Sequence, residues 1–279
     1  MKKKIFLLVV LFAFVFFPFN EQARSKELSV KINRISFEPE ELNTKVFIES
    51  DGALQIPRTY YDKSTPSTIA IEISNVAAVE EAQIVTREDL LVKTIKLERT
   101  AGGALLLIGL KEKVPYRIYS NGRATVVELN RIQRTMNGYI LARETEENLK
   151  KTPRADITFR DISISEEENK IHVAARLTNG PATQVFALEN PLRLVVDFFN
   201  TLYPEPTYLY PVRRLGIEKV RTGQFQLLAP YTIARMVFHL SEPRYYTIAS
   251  AREEFIFSFY RDDVAQTPPI ISTAVPAAP

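Results

Sequence analysis

Cysteine is absent from the chain. Disulfide frameworks, thiolate nucleophiles, cysteine-ligated zinc and iron–sulfur clusters are therefore excluded. Histidine is almost as scarce: His172 and His239 are the only two, 67 positions apart, so histidine-rich metal or triad chemistry has little to draw on. The glycine patterns that cradle phosphates or raise a nucleophilic serine are missing too, with no Gly-x-Gly-x-x-Gly, Gly-x-x-x-x-Gly-Lys or Gly-x-Ser-x-Gly. Acidic runs occur at Glu166-Glu167-Glu168 and Asp262-Asp263. They read as a solvated loop and a tail, because nothing places opposing carboxylates around a groove. The absences point away from an enzyme and from any bound cofactor or metal. What is present is ordinary globular usage, 46% hydrophobic and 25% charged over 279 residues, enough for one large or two smaller domains.

Residues 1–25 read as an address. Lys2, Lys3 and Lys4 precede an unbroken apolar run from Ile5 to Phe17, and Ala23-Arg24-Ser25 offers small residues for cleavage. As a helix that run reaches about 20 Å against a hydrocarbon core of about 30 Å. A cleaved secretory signal therefore fits better than an uncleaved anchor, and no cysteine follows to carry a lipid. Cleavage removes four cations (Lys2, Lys3, Lys4, Arg24) and one anion (Glu21) from 36 basic and 33 acidic residues, leaving 32 of each. The mature chain is formally neutral, which gives no support to nucleic-acid binding. Export without cysteine is compatible with a bacterial periplasm, with stability drawn from core burial.

The remainder repeats itself. Ile69–Asn75 (IAIEISN) matches Leu194–Asn200 (LVVDFFN) at an offset of 125, as Val92–Ile95 matches Ile217–Val220. Further on the offset is 130, pairing Leu106, Ile108 and Leu110 with Met236, Phe238 and Leu240, and Tyr116 with Tyr246. One five-residue shift across a loop is what duplication with a single insertion leaves, and the period is too long for a solenoid. The matched segments alternate: Ile69, Ile71 and Ile73 share one face, and so do Leu194, Val196 and Phe198, with Arg193 and Asp197 turned outward. A period of two with one apolar face predicts half-buried antiparallel strands. Turn signals at Asp51-Gly52, Asn121-Gly122 and Asn179-Gly180-Pro181 separate them. The fold class expected is all-β: two tandem small β-sandwiches, at 27–132 and 156–260. Between them, 133–155 is a charged linker in which Arg143–Arg154 can form one or two helical turns before Pro153. The Pro- and Ala-rich tail, 261–279, has a composition that cannot bury a core and is expected to be flexible.

Four segments of the second copy carry a family resemblance. Asn190–Phe198 (NPLRLVVDF) resembles the Pro-x-Arg-hydrophobic-x-hydrophobic-Asp segment of AMIN domains, and Val220–Phe225 (VRTGQF) their Arg-x-Gly-Gln-Phe segment. Ile233–Phe238 (IARMVF) is similar to their Thr-Arg-Val-Val strand, and Glu242–Ile248 to their Pro-x-Tyr turn and strand. The first copy departs from the pattern, with Thr68 and Glu72 at the positions of Arg193 and Asp197 and no Arg-x-Gly-Gln-Phe after Ile95. The resemblance implies a non-catalytic β-sandwich module of the periplasm, of the kind found on cell-wall amidases and, in tandem, on the outer-membrane secretins of type IV pili, where it localises its host by binding peptidoglycan. It implies peptidoglycan as the partner, or a secretin or pilus-assembly protein if the chain is an interaction scaffold without glycan contact. Neither an amidase nor a secretin barrel fits in the residues outside the two copies.

Two sets of residues are candidates for peptidoglycan contact. The family-matched set is Arg193, Asp197, Arg221, Gln224 and Arg235; on neighbouring strands Arg193 or Arg235 can equally pair with Asp197 to set register. The other is the Tyr- and Pro-rich segment Tyr203–Tyr210, read as a loop, with Tyr208, Tyr210 and the following Arg213. Aromatic faces pack on sugar C–H surfaces and arginine forks onto stem-peptide carboxylates. The same tyrosines can instead seal the sandwich.

Overall fold

A computed structural model describes residues 30–76, 82–85, 89–122, 124–134, 140–151 and 156–261. The expected signal segment lies outside the described residues, as does all of the expected tail beyond Arg261. The first half contributes β1 (Ile32–Pro39), β2 (Asn43–Ser50), β3 (Arg58–Tyr61), β4 (Thr68–Ile73) and β5 (Ala82–Val85). After these come β6 (Val92–Thr100), β7 (Gly103–Leu110), β8 (Tyr116–Ser120), β9 (Ala124–Asn130) and the short β10 (Ile132–Gln133). Helix α1 (Arg143–Lys151) follows, then β11 (Ile157–Glu167), β12 (Lys170–Leu177), β13 (Thr183–Leu188), β14 (Arg193–Phe199) and β15 (Thr201–Leu202). The chain closes with β16 (Tyr208–Arg214), β17 (Ile217–Gln226), β18 (Ile233–Leu240), β19 (Tyr246–Ala251) and β20 (Glu254–Tyr260). The described chain is all-β apart from this one helix.

Each half is a pair of sheets around a core, and the two halves share one topology. In the first, sheet β1-β2-β9-β8 and sheet β3-β4-β7-β6-β5 enclose Val46, Ile48, Ile69, Ile71, Leu106 and Ile108. In the second, β11-β12-β20-β19 and β13-β14-β18-β17-β16 repeat the same strand orders around Phe159, Val196, Phe198, Met236, Phe238 and Phe257. Alternation drives this layering: every second residue of β7, from Ala104 to Leu110, is buried while those between are half-exposed. Of the five extra residues of the second copy, one lengthens β17 and four fall in the turn between β17 and β18. Its counterpart, the turn between β6 and β7, contains only Ala101 and Gly102. Two short strands lack counterparts, β15 at the edge beside β11 and β10, which pairs in parallel with β13.

The halves are not beads on a linker. Tyr245 leaves the second half and sits in the first half's core, 5% exposed, its ring centroid 5.1 Å from that of Tyr116. Its neighbour Tyr246 points back into its own core, yet its hydroxyl donates to Asn130 Oδ1 of the first half at 2.5 Å, in a buried bond. Leu42 of the first half packs on Phe186, Val195 and Val237 of the second. The helix lies against both halves. Lys45 reaches Glu144 at 2.7 Å, and the backbone just before the helix is held by Gln184, which accepts from the Ala142 amide and donates to the Ile140 carbonyl. Acidic residues in its first turn and lysines in its last complement the helix dipole, which helps so polar a segment to hold two and a half turns.

Candidate functional site

The outward face of the sheet carrying β14, β18 and β17 is organised by register into three rows. One row crosses Arg193, His239 and Lys219 and reaches Pro211 on the edge strand; the next crosses Val195, Val237, Arg221 and Leu209; the third crosses Asp197, Arg235 and Gly223. Antiparallel pairing therefore brings residues spread over some fifty positions onto one surface.

The family-matched residues divide by role. Asp197 is fully buried and takes a bidentate bond from Arg235, whose Nε and one Nη lie 2.6 and 2.9 Å from its two oxygens. The Arg235 guanidinium is layered against Phe225, 3.3 Å from the ring centroid, and beyond 5 Å from Phe186. This pair closes over the sheet rather than opening toward a ligand, and of the two partners open to Asp197 it is Arg235 that takes it. Gln224 is likewise committed: its Oε1 accepts from the Tyr203 amide at 2.6 Å, and its Nε2 donates to the carbonyls of Ile233 and Gln226. The glycine before it has a packing reason. A Cβ on Gly223 would stand 2.6 Å from Thr207 Oγ1 and 3.3 Å from its Cβ, so any other residue here needs the exposed Thr207 side chain to turn away. Arg193 is half-exposed and donates from Nε to the Pro191 carbonyl, holding the turn before β14.

The Tyr- and Pro-rich segment needs correcting. It is loop only as far as Thr207; Tyr208–Arg214 form β16. Tyr208, Tyr210 and Val212 fall in one phase and Leu209, Pro211 and Arg213 in the other. Pro211 is tolerated because β16 is the sheet edge. Register places Tyr208 opposite Thr222 and Tyr210 opposite Val220, both inward-facing. The two rings lie 4.5 Å apart, on the opposite face of the sheet from Arg221 and Arg235. The structure does not bring the two candidate sets together. Arg213 is exposed on the arginine side, lining a surface cavity of about 550 Å³ with Lys219, Leu209 and Pro211.

What remains open to solvent is a basic strip: Arg221 and Arg213 exposed, Lys219 and Arg193 half-exposed, and His239 among them. Among the described residues Lys219 and Arg221 form no ion pair. Their joint field shows on His239, whose pKa is lowered first by burial and then by Lys219, Arg193 and Arg221, with Glu218 opposing. Neither Lys219 nor His239 is among the residues expected from the sequence, although both fall in the outward phase of the matched strands. Among the described residues, no group of three or more His, Asp or Glu could hold a metal ion.

Residues 161–259 match the family model of the AMIN domain. The second half carries an AMIN domain. The match takes in all four motif segments and stops short of the first half. No curated protein and no solved structure matches the chain. AMIN domains are non-catalytic binding modules, typical of periplasmic proteins and associated with peptidoglycan binding and localisation. No helix among the described residues is long and apolar enough to cross a membrane.

Proposed function

We propose that the chain is an exported, non-catalytic localisation module. Its AMIN domain grips peptidoglycan through the basic strip and so positions a cell-envelope machine. The observation that carries this reading is the group of cations Lys219, Arg221 and Arg213, without an ion pair among the described residues, on the outward face of the AMIN sheet beside Arg193 and His239, with Glu218 lining the same cavity as Lys219 and Arg213. Stem peptides present carboxylates in dense array, and charge-assisted bonds from arginine suit them. Contact is short-ranged, because a chain neutral overall has little long-range steering. Residues 1–25 act as the cleaved signal, and 27–132 and 156–260 as the two domains.

The test is sedimentation with purified sacculi. Lys219→Glu with Arg221→Glu, both at surface positions, lowers the pelleted fraction at least fivefold with folding intact. Pelleting no better than a non-binding control protein overturns wall binding. A second reading, a scaffold for a secretin or pilus-assembly protein without glycan contact, draws on the apolar turn after β17, where Leu227 and Leu228 are 65% and 80% exposed. Crosslinking in cells separates the two: a scaffold keeps its protein partner after muramidase digestion, and a wall binder does not.

A further inference from the structure

A polar cavity of about 580 Å³ opens between the two halves, roofed by the helix. Its charged lining comes from three places: Glu40, Arg117 and Glu128 from the first half, Glu144 and Lys151 from α1, and Arg252 from the second half. Neither half alone forms it. We propose that this cleft is a ligand site for a short zwitterionic peptide, whose carboxylate meets Arg117 and the Arg252 rim while its ammonium meets Glu40.

One donor in the cleft is unsatisfied. Arg117 binds Glu128 through one Nη at 2.8 Å, and Glu128 is only 2% exposed. Among the described residues the buried Arg117 Nε has no hydrogen-bond partner. A buried N–H without an acceptor is costly and uncommon, and a carboxylate entering the cleft supplies the acceptor. One carboxylate in the cleft is short of positive charge. Lys45 is shared between Glu40, at 3.1 Å, and Glu144, at 2.7 Å. With Glu128 close by, Glu40 is held above its ordinary pKa, by burial first and by the neighbouring carboxylates despite Lys45. An ammonium group relieves that deficit. A simple anion would meet three carboxylates, and a simple amine would leave the Arg117 donor unmet, so the lining selects a molecule bearing both charges. The volume is that of a site for a drug-sized ligand, which corresponds to a peptide of two or three residues.

The proposal stands apart from the sheet-face reading, and its test separates them. The purified full chain is titrated calorimetrically with the tripeptide Ala-Ala-Ala, whose only charges are its two termini, with its N-acetylated form and with its C-amidated form. The free tripeptide binds saturably, and blocking either terminus weakens binding about tenfold or more. Arg117→Lys keeps a charge for Glu128 but removes the Nε donor, and costs about tenfold. Should that variant fold poorly, Arg252→Glu, at an exposed position, carries the test with a similar loss. Replacing the central residue by its D-isomer identifies the source: tighter binding of the D form points to wall peptide, tighter binding of the L form to a protein-derived peptide, and either supports the site. Lys219→Glu lowers sacculus pelleting and leaves this titration unchanged. The absence of saturable heat, or equal binding of free and blocked tripeptides, overturns the proposal.

Discussion

Asp197→Ala is the most informative single change, because the same residue reads as a ligand contact by motif and as a structural anion by geometry. Asp197 has no solvent exposure and both its oxygens are engaged by Arg235. Removing one partner of such a pair costs about 3 to 5 kcal/mol, since the survivor is left charged and buried. Arg235 keeps 17% side-chain exposure, which lets part of the guanidinium rehydrate and places the cost near the low end, about 3 kcal/mol. With a urea dependence of about 1.5 kcal/mol per molar for a domain of this size, the midpoint falls by about 2 M. The decisive companion is Asp197→Leu with Arg235→Met, which removes both charges and keeps bulk between Phe186 and Phe225. It recovers to within about 1 kcal/mol of the unmodified chain, because no buried charge remains. It also pellets with sacculi as well as the parent. A single-substitution loss below about 1 kcal/mol, or a double variant no better than the single, refutes the burial argument. A stable double variant that has lost sacculus binding refutes the structural assignment of the pair.

Tyr245→Ala removes a second-half ring from the first half's core and costs about 3 kcal/mol. Hydrogen exchange should show the lost protection in β8 and β9; loss confined to β19 and β20 would mean that the halves are energetically separate. Tyr246→Phe deletes the buried bond to Asn130 at about 1 to 2 kcal/mol, read from urea midpoints, and no change would deny that bond any role in stability. His239 gives a pH signature. Its folded pKa lies below the ordinary 6.5, so the unfolded chain takes up the proton first on acidification. The stability tied to neutral His239 is complete above about pH 6.5 and is lost as pH falls from there through the lower folded value. Comparison with His239→Gln isolates that slope, and sacculus binding strengthens over the same range as the strip gains a charge; parallel stability curves would remove His239 from the account.

The sheets were legible because period-two patterning survives in nearly every strand and the copy-to-copy offsets carry register. Ile71 and Val196 differ as residues but occupy the same inward position at the same offset. The outward positions of Arg193 and Asp197 followed from the same parity. Partner choice did not, because parity tells which face a residue takes and not which neighbour it touches; Arg193 turned to a carbonyl and Arg235 took the carboxylate. Tyr208 and Tyr210 read as loop residues from the prolines around them, and in a loop parity imposes nothing. Once Pro211 is accepted at a sheet edge, alternation sends those rings to the other face. The cleft was invisible for a different reason: Arg117, Glu144 and Arg252 are far apart in the chain and meet only because Tyr245 and Leu42 lock the halves together.

The two copies differ in surface charge at one pair of equivalent positions. Arg221 of β17 corresponds to Lys96 of β6, and Gly223 to Glu98, at the offset of 125. In the first copy Glu98 sits two residues along the same outward face and pairs with Lys96 at 2.5 Å. Arg58 and Glu72 face each other on adjacent strands of that sheet and form a second, looser pair. Cations compensated within their own sheet offer little to an external anion. In the second copy Gly223 carries no side chain, and Thr207 Oγ1 lies 2.6 Å from where its Cβ would stand, so the position equivalent to Glu98 supplies no neutralising carboxylate. Arg221 therefore lacks the same-face partner that Lys96 has.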